Sequence, residues 1–388
     1  MSCDHSLELS VVVPVFNEEA EVPRFLELIA RQREIPFELI LSDGGSRDNT
    51  IASARALAGR LPFPLRIVEG GKGRAAQMNL GASLAAADLL LFLHIDSRFP
   101  DPLSFRKGVD ALCAALAGNG SHQSHPAPAG DHLPLSGPPL DKGGTGGIAL
   151  AAPGAGAPPL AGHFLLEFDF QENRPPLPYR FYGAKASLDR PGCTHGDQGM
   201  LIPASFFRSI GPFDTRLPIM EDTFLAERIR NEGAWLLLPS CIRTSPRRFL
   251  TEGLLPRQTL NAMLMALANT GHLELIEALR ECYRSQDATH RLELRPFLKV
   301  LGERIAALPR ERRAGLWRAA GRYVRCNAWQ VPLWLDVAVG KGEPGRGGPC
   351  LGLHDRWLGR LLDSGLVDRG AAWLVRIWFR ALLVLSGG

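Results

Sequence analysis

Leu89 to Asp96 reads LLLFLHID, an apolar run that ends abruptly in a histidine and a carboxylate. Residues of this kind fit a strand buried on both faces, and Ser97, Arg98 and Pro100 then open it into a loop. This is the pattern of a central parallel strand, and groups at the carboxyl end of such a strand face the crevice where open α/β sheets bind ligands. Asp96 is therefore the first candidate for a metal- or phosphate-handling residue.

The preceding sequence supplies the neighbours such a strand needs. LSVVVPVF, Leu9 to Phe16, reads as the first parallel strand, with Pro14 near its end where a missing donor is tolerable. Asn17, Glu18 and Glu19 are expected to open a helix through about Gln32, with carboxylates in the first turn where the dipole favours them. Phe37 to Leu41 is a second strand running into Ser42-Asp43-Gly44-Gly45-Ser46, and a helix from about Asn49 to Ala58 follows. Leu65 to Val68 is a third strand, leading into Glu69-Gly70-Gly71-Lys72-Gly73-Arg74, whose basic residues suit phosphate. A helix over Ala75 to Ala86 precedes the central strand, and another over Pro102 to Leu116 follows it. The alternation predicts a doubly wound α/β sheet.

From Asn119 to Gly162 the alternation stops in a stretch dense in Gly, Pro, Ala, Ser and His, which reads as a disordered insertion. His122, His125 and His132 lie in it without surroundings that would hold a metal. Order is expected to resume with the strand HFLLEFDF, His163 to Phe170. Gly199 to Pro203 is short and apolar, Ala204 to Ile210 a helical turn or two, and Glu221-Asp222 places two carboxylates at the start of a helix to about Asn231. Ala234 to Leu238 is a strand and Thr244 to Phe249 a basic loop. The remainder reads as helices over Pro256 to Asn269, Leu273 to Tyr283, Leu292 to Leu308, Arg310 to Ala328 and Asp355 to Leu362. At the end, GAAWLVRIWFRALLVL, Gly370 to Leu385, is apolar except for Arg376 and Arg380, four apart on one face. It is either an interfacial helix that snorkels its arginines or a terminal helix capping the core.

Size and composition narrow the class. The 388 residues exceed the usual single domain, so a catalytic domain with an appendage is the default expectation. A formal charge of +4 is too small to imply nucleic acid, and fits a protein that handles anionic small molecules or rests against anionic lipid. Seven scattered cysteines, none paired at metal-ligand spacing, argue for reduced thiols and a cytoplasmic setting. MSCDHSLELS lacks a basic region leading into an apolar run, so no signal peptide is expected, and no uncharged apolar stretch approaches the length of a bilayer span.

Asp43, Asp96 and Asp222 each fall where a strand ends or a helix begins, beside basic or glycine-rich loops. Grouped carboxylates of this kind suit a divalent cation, Mg²⁺ or Mn²⁺, bridging a diphosphate. The sequence blocks VVVPVFNEE, LSDGGSRDNT, GKGRAAQMNLGA, LLFLHIDSRFP, HGDQGMLI, MEDTFLAERI and SPRRF occur in that order. Together they resemble a family 2 glycosyltransferase of the GT-A fold, more narrowly the bacterial subfamily with GRARQMN-like, HADTRLP-like and GDQG-like blocks. The resemblance covers about Leu7 to Arg284 without the insertion. It implies a GT-A doubly wound, mixed but mainly parallel sheet over 1–284, interrupted at 119–162. A helical C-terminal region, 285–388, would recognise the acceptor, contact a membrane carrying a lipid-linked acceptor, or stabilise the catalytic domain.

The resemblance also implies roles. Such enzymes transfer a sugar from a nucleotide-diphosphate sugar to an acceptor, with inversion at the anomeric carbon. Glu18 and Asp43 match nucleotide-contacting positions, and Arg74 a basic position near the donor. His94 and Asp96 stand at the metal motif, with Asp96 the main protein ligand and His94 on the donor side or simply a packed histidine. Ile95 and Ser97 replace the usual alanine and threonine without removing chemistry. Asp222 matches the catalytic base, and Glu221 orients the loop or acceptor, or caps the helix. Asp197 and Gln198 match the acceptor-side block, and Arg247 or Arg248 would clamp the diphosphate. Neither the donor's base and sugar nor the acceptor can be read. Other classes fit less well. A nucleotidyltransferase needs a basic glycine-rich loop where Asn17-Glu18-Glu19 stands, and the GxGxxG of a dehydrogenase is absent. A non-catalytic nucleotide-sugar-binding protein would not need both Asp96 and Asp222.

Overall fold

The β-branched, wholly apolar segments of the sequence form the centre of the sheet. The computed structural model describes residues 7–118, 158–171, 173–217, 219–282 and 291–385. The predicted insertion falls almost entirely outside them, as do its three histidines and the expected domain boundary at Arg284. The described residues divide into two compact units, 7–118 with 158–245 and 344–346, and 246–343 with 347–385.

In the first unit, strands β1 (Leu9–Val15), β2 (Phe37–Asp43), β3 (Leu65–Glu69) and β4 (Leu89–Phe92) run parallel. Beside β4 lies β6 (Met200–Pro203), antiparallel to it, followed by β5 (Leu160–Phe168) and the edge strand β7 (Ala234–Thr244). The order β3-β2-β1-β4-β6-β5-β7 is the mixed, mainly parallel sheet expected. Side-chain alternation divides the core between the two faces. Val12, Leu90, Phe92 and Ile202 pack with residues of helices α3 (Arg74–Ser83), α6 (Ala204–Ile210) and α7 (Glu221–Glu232). The Phe92 ring lies 5.1 Å from that of Phe207 and 5.0 Å from that of Phe213. Truncating such a buried ring to alanine costs about 3–5 kcal/mol. Helix α4 (Ser104–Leu116) sets Phe105 edge-on to Phe37 and Phe99.

Four expectations are corrected in this unit. The central strand leaves the ladder after Phe92. The Leu93 N–H still donates to the Val12 carbonyl at 3.0 Å, but His94 to Ser97 form a turn closed by the Ser97 N–H on the His94 carbonyl. The first helix, α1, spans Val22–Ile29 and has no acidic first turn. Instead the N–H groups of Asn17, Glu18 and Glu19 donate to Ser46 Oγ, Thr50 Oγ1 and Asp48 Oδ2, with Asn17 at φ 54°. Hydrogen bonds to the loop before helix α2 (Thr50–Ala58) thus displace the helix start. Strand β5 begins at Leu160, inside the stretch read as insertion, and Gly162 is there because an added Cβ would lie 2.6 Å from Leu238 Cδ2. Strand β7 continues to Thr244, six residues further than expected, and Pro239 is tolerated in it because it is an edge.

The second unit is helical. The residues read as a basic loop form a short helix, Arg247–Glu252, in which Arg248 pairs with Glu252 at 3.1 Å. Helices Leu254–Asn269, Arg295–Ala307 and Arg310–Cys326 follow. A further helix, Gln330–Ala338, was not expected. Its buried Asp336 accepts the N–H groups of Cys350 and Leu351, at 2.9 and 2.8 Å, and so caps helix Pro349–Leu353. The last helix runs over Gly365–Leu385.

Candidate active site

The first turns of α3 explain how residues far apart in sequence meet. The buried Gln77 amide donates to the carbonyls of Val15 and Ser42, both at 2.7 Å, tying the helix to the ends of β1 and β2. The Asn79 amide exchanges two hydrogen bonds with the Phe213 backbone, at 2.8 and 2.9 Å, fixing the segment that leads into α7. Between these anchors Arg74, at the start of α3, reaches α7. Its Nε donates to Glu221, and its second terminal nitrogen lies 3.8 Å from Asp222 Oδ2. Met220, at φ 68° in the left-handed region, turns the chain so that both carboxylates lie at the helix start.

A second loop closes on the same place. Gln198, fully buried, accepts from the His195 N–H and donates to the carbonyls of Ala186 and Cys193, and so holds the turn Gly196–Gln198 in shape. That turn presents the Gly196 N–H to Asp222 Oδ2 at 2.9 Å and Asp197 Oδ1 to His94 Nδ1 at 2.8 Å. A Cβ on Gly196 would lie 2.8 Å from both Asp222 Oδ2 and His94 Nε2, so only glycine fits between them. Thr223 donates its N–H to Asp222 Oδ1 at 2.8 Å, and its hydroxyl lies 3.2 Å from His195 Nδ1. Asp96, half-buried, has the Thr244 hydroxyl 3.3 Å from its Oδ2.

The electrostatics follow from these neighbours. Burial works against the charge on Asp222, but Arg74, His195 and His94 together with the Gly196 N–H outweigh it and lower its pKa. Burial likewise opposes the charge on His94, and the hydrogen bond and charge of Asp197 overcome it, raising the imidazole pKa. Asp197 is held below the usual carboxylate range by the same pair and by Arg74, against its own burial. Asp96 moves the other way, raised by burial and by the negative charge of Asp197. His195 is lowered by burial and by Lys185.

A divalent cation fits this donor set in one form. Among the described residues no three His, Cys, Asp or Glu side chains converge on a metal position. Asp96, however, is a half-buried carboxylate disfavoured by another carboxylate, a charge arrangement that a cation would relieve. A hard ion held by one protein carboxylate and by substrate phosphates is the usual arrangement for Mg²⁺.

Arg74, His94, Asp197, Glu221 and Asp222 are thus brought together, with Asp96 within their field. Gln198 is beside them, its side chain committed to backbone. Asp43 lies at the end of β2, where its carboxylate accepts the N–H groups of Gly45 and Ser46, both at 2.9 Å. Glu18 follows β1. Arg247 and Arg248 belong to the second unit. His195, Gly196, Thr223 and Thr244 escaped the sequence reading, although His195 and Gly196 stand within the HGDQG block itself.

Residues 10–119 match the family described as Glycosyl transferase family 2. A dodecaprenyl-phosphate galacturonate synthase of Rhizobium johnstonii is 44% identical over 90 residues, 22% of this chain and 27% of that protein. A PGL/p-HBAD biosynthesis glycosyltransferase of Mycobacterium tuberculosis is 36% identical over 115 residues, 29% of this chain and 42% of that one. The chain therefore spans well under half the length of these relatives. A mannosyltransferase from Pyrobaculum calidifontis, solved in complex with GDP-Man and Mn²⁺, is 14% identical with a TM-score of 0.43, over 99% of this chain and 85% of that one. The first unit has the mixed, mainly parallel sheet of a GT-A fold, and the match to Glycosyl transferase family 2 spans its first four strands.

Proposed function

We propose that this domain transfers a sugar, with inversion, from a nucleotide-diphosphate sugar to an acceptor hydroxyl, with Asp222 as the general base. The observation that carries the reading is the setting of Asp222. Its carboxylate is kept ionised by Arg74 and fixed by the N–H groups of Gly196 and Thr223. An ionised carboxylate held in one orientation is the state needed to accept a proton, and the acceptor hydroxyl becomes acidic only as its oxygen bonds to the anomeric carbon. In that step the bond from the anomeric carbon to the diphosphate breaks, and its electron pair leaves on the phosphate oxygen. Inversion follows from attack opposite that bond.

The remaining residues take supporting roles. Asp96 would hold Mg²⁺ or Mn²⁺, which supplies Lewis-acid neutralisation of a diphosphate leaving group when bound. Arg74 and the His94 imidazole, whose protonated form Asp197 favours, add positive charge on the same side. Glu221 positions Arg74, and Gln198 positions the turn that carries Asp197, with Asp197 itself on the acceptor side. Glu18 and the Asp43 loop contact the nucleotide. The same reading places the chain in the narrower bacterial subfamily with the GRARQMN-like and GDQG-like blocks.

The test is nucleotide release from a panel of UDP-, GDP-, dTDP- and CDP-sugars with Mg²⁺ or Mn²⁺ and with EDTA. Turnover of one donor that needs the metal and disappears in Asp96→Ala and Asp222→Asn supports the reading. Silence across the panel, with no metal-dependent nucleotide binding, overturns it.

A further inference from the structure

The last helix, Gly365–Leu385, is apolar on the wrong side for a helix that only caps a core. Its inward side carries Asp368, Ala372, Phe379 and Leu383. Phe379 stacks 5.8 Å from Trp317, Leu383 approaches Gly302, and Asp368 accepts from Arg325 at 2.6 Å. Helix Arg310–Cys326 comes so close that a Cβ on Gly321 would lie 2.5 Å from the Asp368 carbonyl oxygen. On the outward side Leu366, Trp373, Leu374, Ile377, Trp378 and Leu385 are exposed by 77, 63, 61, 43, 42 and 79%. Isolated exposed apolar residues need no explanation, but a continuous ridge of them about 30 Å long does.

Charge says what the ridge meets. At about 100° per residue, Arg369, Arg376 and Arg380 fall within about 40° of one another, a single row along one edge of the ridge. All three are exposed. Asp368, the one acid of this helix, is turned onto Arg325 and Arg322, and Asp363 just before the helix, half exposed, is paired with Arg325 at 2.8 Å. The outward half therefore has no negative charge. The segment just before it repeats the composition, with Trp357 and Leu361 exposed beside Arg356 and Arg360. Tryptophan suits the headgroup level of a bilayer, and arginine reaches phosphate from a helix lying in the plane. Among the described residues no helix is long and apolar enough to cross a membrane.

We propose that this face docks on a lipid bilayer carrying anionic headgroups, with the helix in the plane of the surface, its tryptophans inserted and its arginine row on lipid phosphates. A protein partner would have to supply a matching row of carboxylates along one edge, whereas anionic headgroups supply it in any orientation. The proposal uses no residue of the candidate active site and stands apart from sugar transfer.

Flotation of the full chain with phosphatidylcholine vesicles, with and without phosphatidylglycerol, tests it. The native chain floats with the anionic vesicles and less so in high salt. Replacing Trp373, Ile377 and Trp378 together by serine lowers partitioning at least about tenfold. Arg376→Gln and Arg380→Gln each lower it about fivefold on anionic vesicles only. Unchanged circular dichroism and melting show that these exposed substitutions leave the fold intact. Failure of the native chain to float, or a triple variant that floats like it, overturns the proposal. So does a native dimer that the triple variant dissociates, which would assign the face to a second copy.

Discussion

Arg74 and Glu221 are 147 residues apart in sequence, and the guanidinium Nε of one donates to the carboxylate of the other. The pair joins the start of α3 to the start of α7. Glu221 is 3% exposed while Arg74 remains 38% exposed, so the carboxylate is the buried partner and the arginine keeps one side toward the crevice. Glu221→Gln should leave the fold standing and lower turnover about ten- to a hundredfold, because Arg74 then keeps only a neutral acceptor there and the nearest opposing charge is the more distant Asp222. A double-mutant cycle with Arg74→Met checks it. A coupling of about 1–3 kcal/mol in stability is expected, and additive losses would mean that the two side chains do not act as a pair.

Asp222→Asn removes the proposed proton acceptor and preserves shape. The amide oxygen can still accept the Gly196 N–H while the Thr223 N–H loses its acceptor, so donor binding should change little by calorimetry. Turnover with the donor identified from the panel should fall about 10²–10⁴-fold. An Asn variant retaining more than half of native turnover would remove Asp222 from the role of base.

Gly196→Ala tests the close approach between the two loops. The new methyl would meet Asp222 Oδ2 and His94 Nε2 at 2.8 Å each, and neither is the free end of a long side chain. The turn must shift, loosening the Asp222 and Asp197 contacts together. Stability should fall by about 1–3 kcal/mol in a denaturant melt, with turnover falling further than that loss explains. Native activity in this variant would mean that the turn moves freely during the reaction.

Much of this site was legible because its residues carry chemistry that a strand end makes visible. Asp96, His94 and Asp43 each follow an apolar run, and such runs mark the parallel strands β1, β2 and β4. Less legible were features set by partners distant in sequence. The first helix starts late because Ser46, Thr50 and Asp48 take the N–H groups that would have opened it. Strand β7 runs on through Pro239 and Ser240 because β5 pairs with it after a register shift between His163 and Leu165. Gln198 looks like a ligand-binding residue in sequence, yet its amide is spent on the carbonyls of Ala186 and Cys193. A composition rich in small residues likewise hid the start of β5, where Gly162 is required by Leu238.

His163, in β5, gives the fold an acid sensitivity separable from the site. It is 2% exposed, edge-on to Trp235 at 5.5 Å. Burial, opposed only weakly by the Phe164 carbonyl, pushes its pKa down from 6.5 to about 4. The unfolded chain therefore binds a proton at a pH where the folded chain does not. Stability from this residue is unaffected above pH 6.5, and it falls as pH drops from 6.5 towards 4, where the folded histidine finally titrates. Carboxylates such as Asp197 lose their native pairing only near and below their ordinary value of 3.8, so this window belongs to the buried histidines His163 and His195, whose pKa values are both lowered. Chemical denaturation across pH 4.5 to 7.5 should show the native chain losing stability on the acid side. In His163→Phe, which keeps a ring against Trp235, that slope should flatten while stability at neutral pH changes by no more than about 1.5 kcal/mol. Parallel profiles for the two proteins would mean that His163 takes up its proton at the same pH in the folded and the unfolded chain.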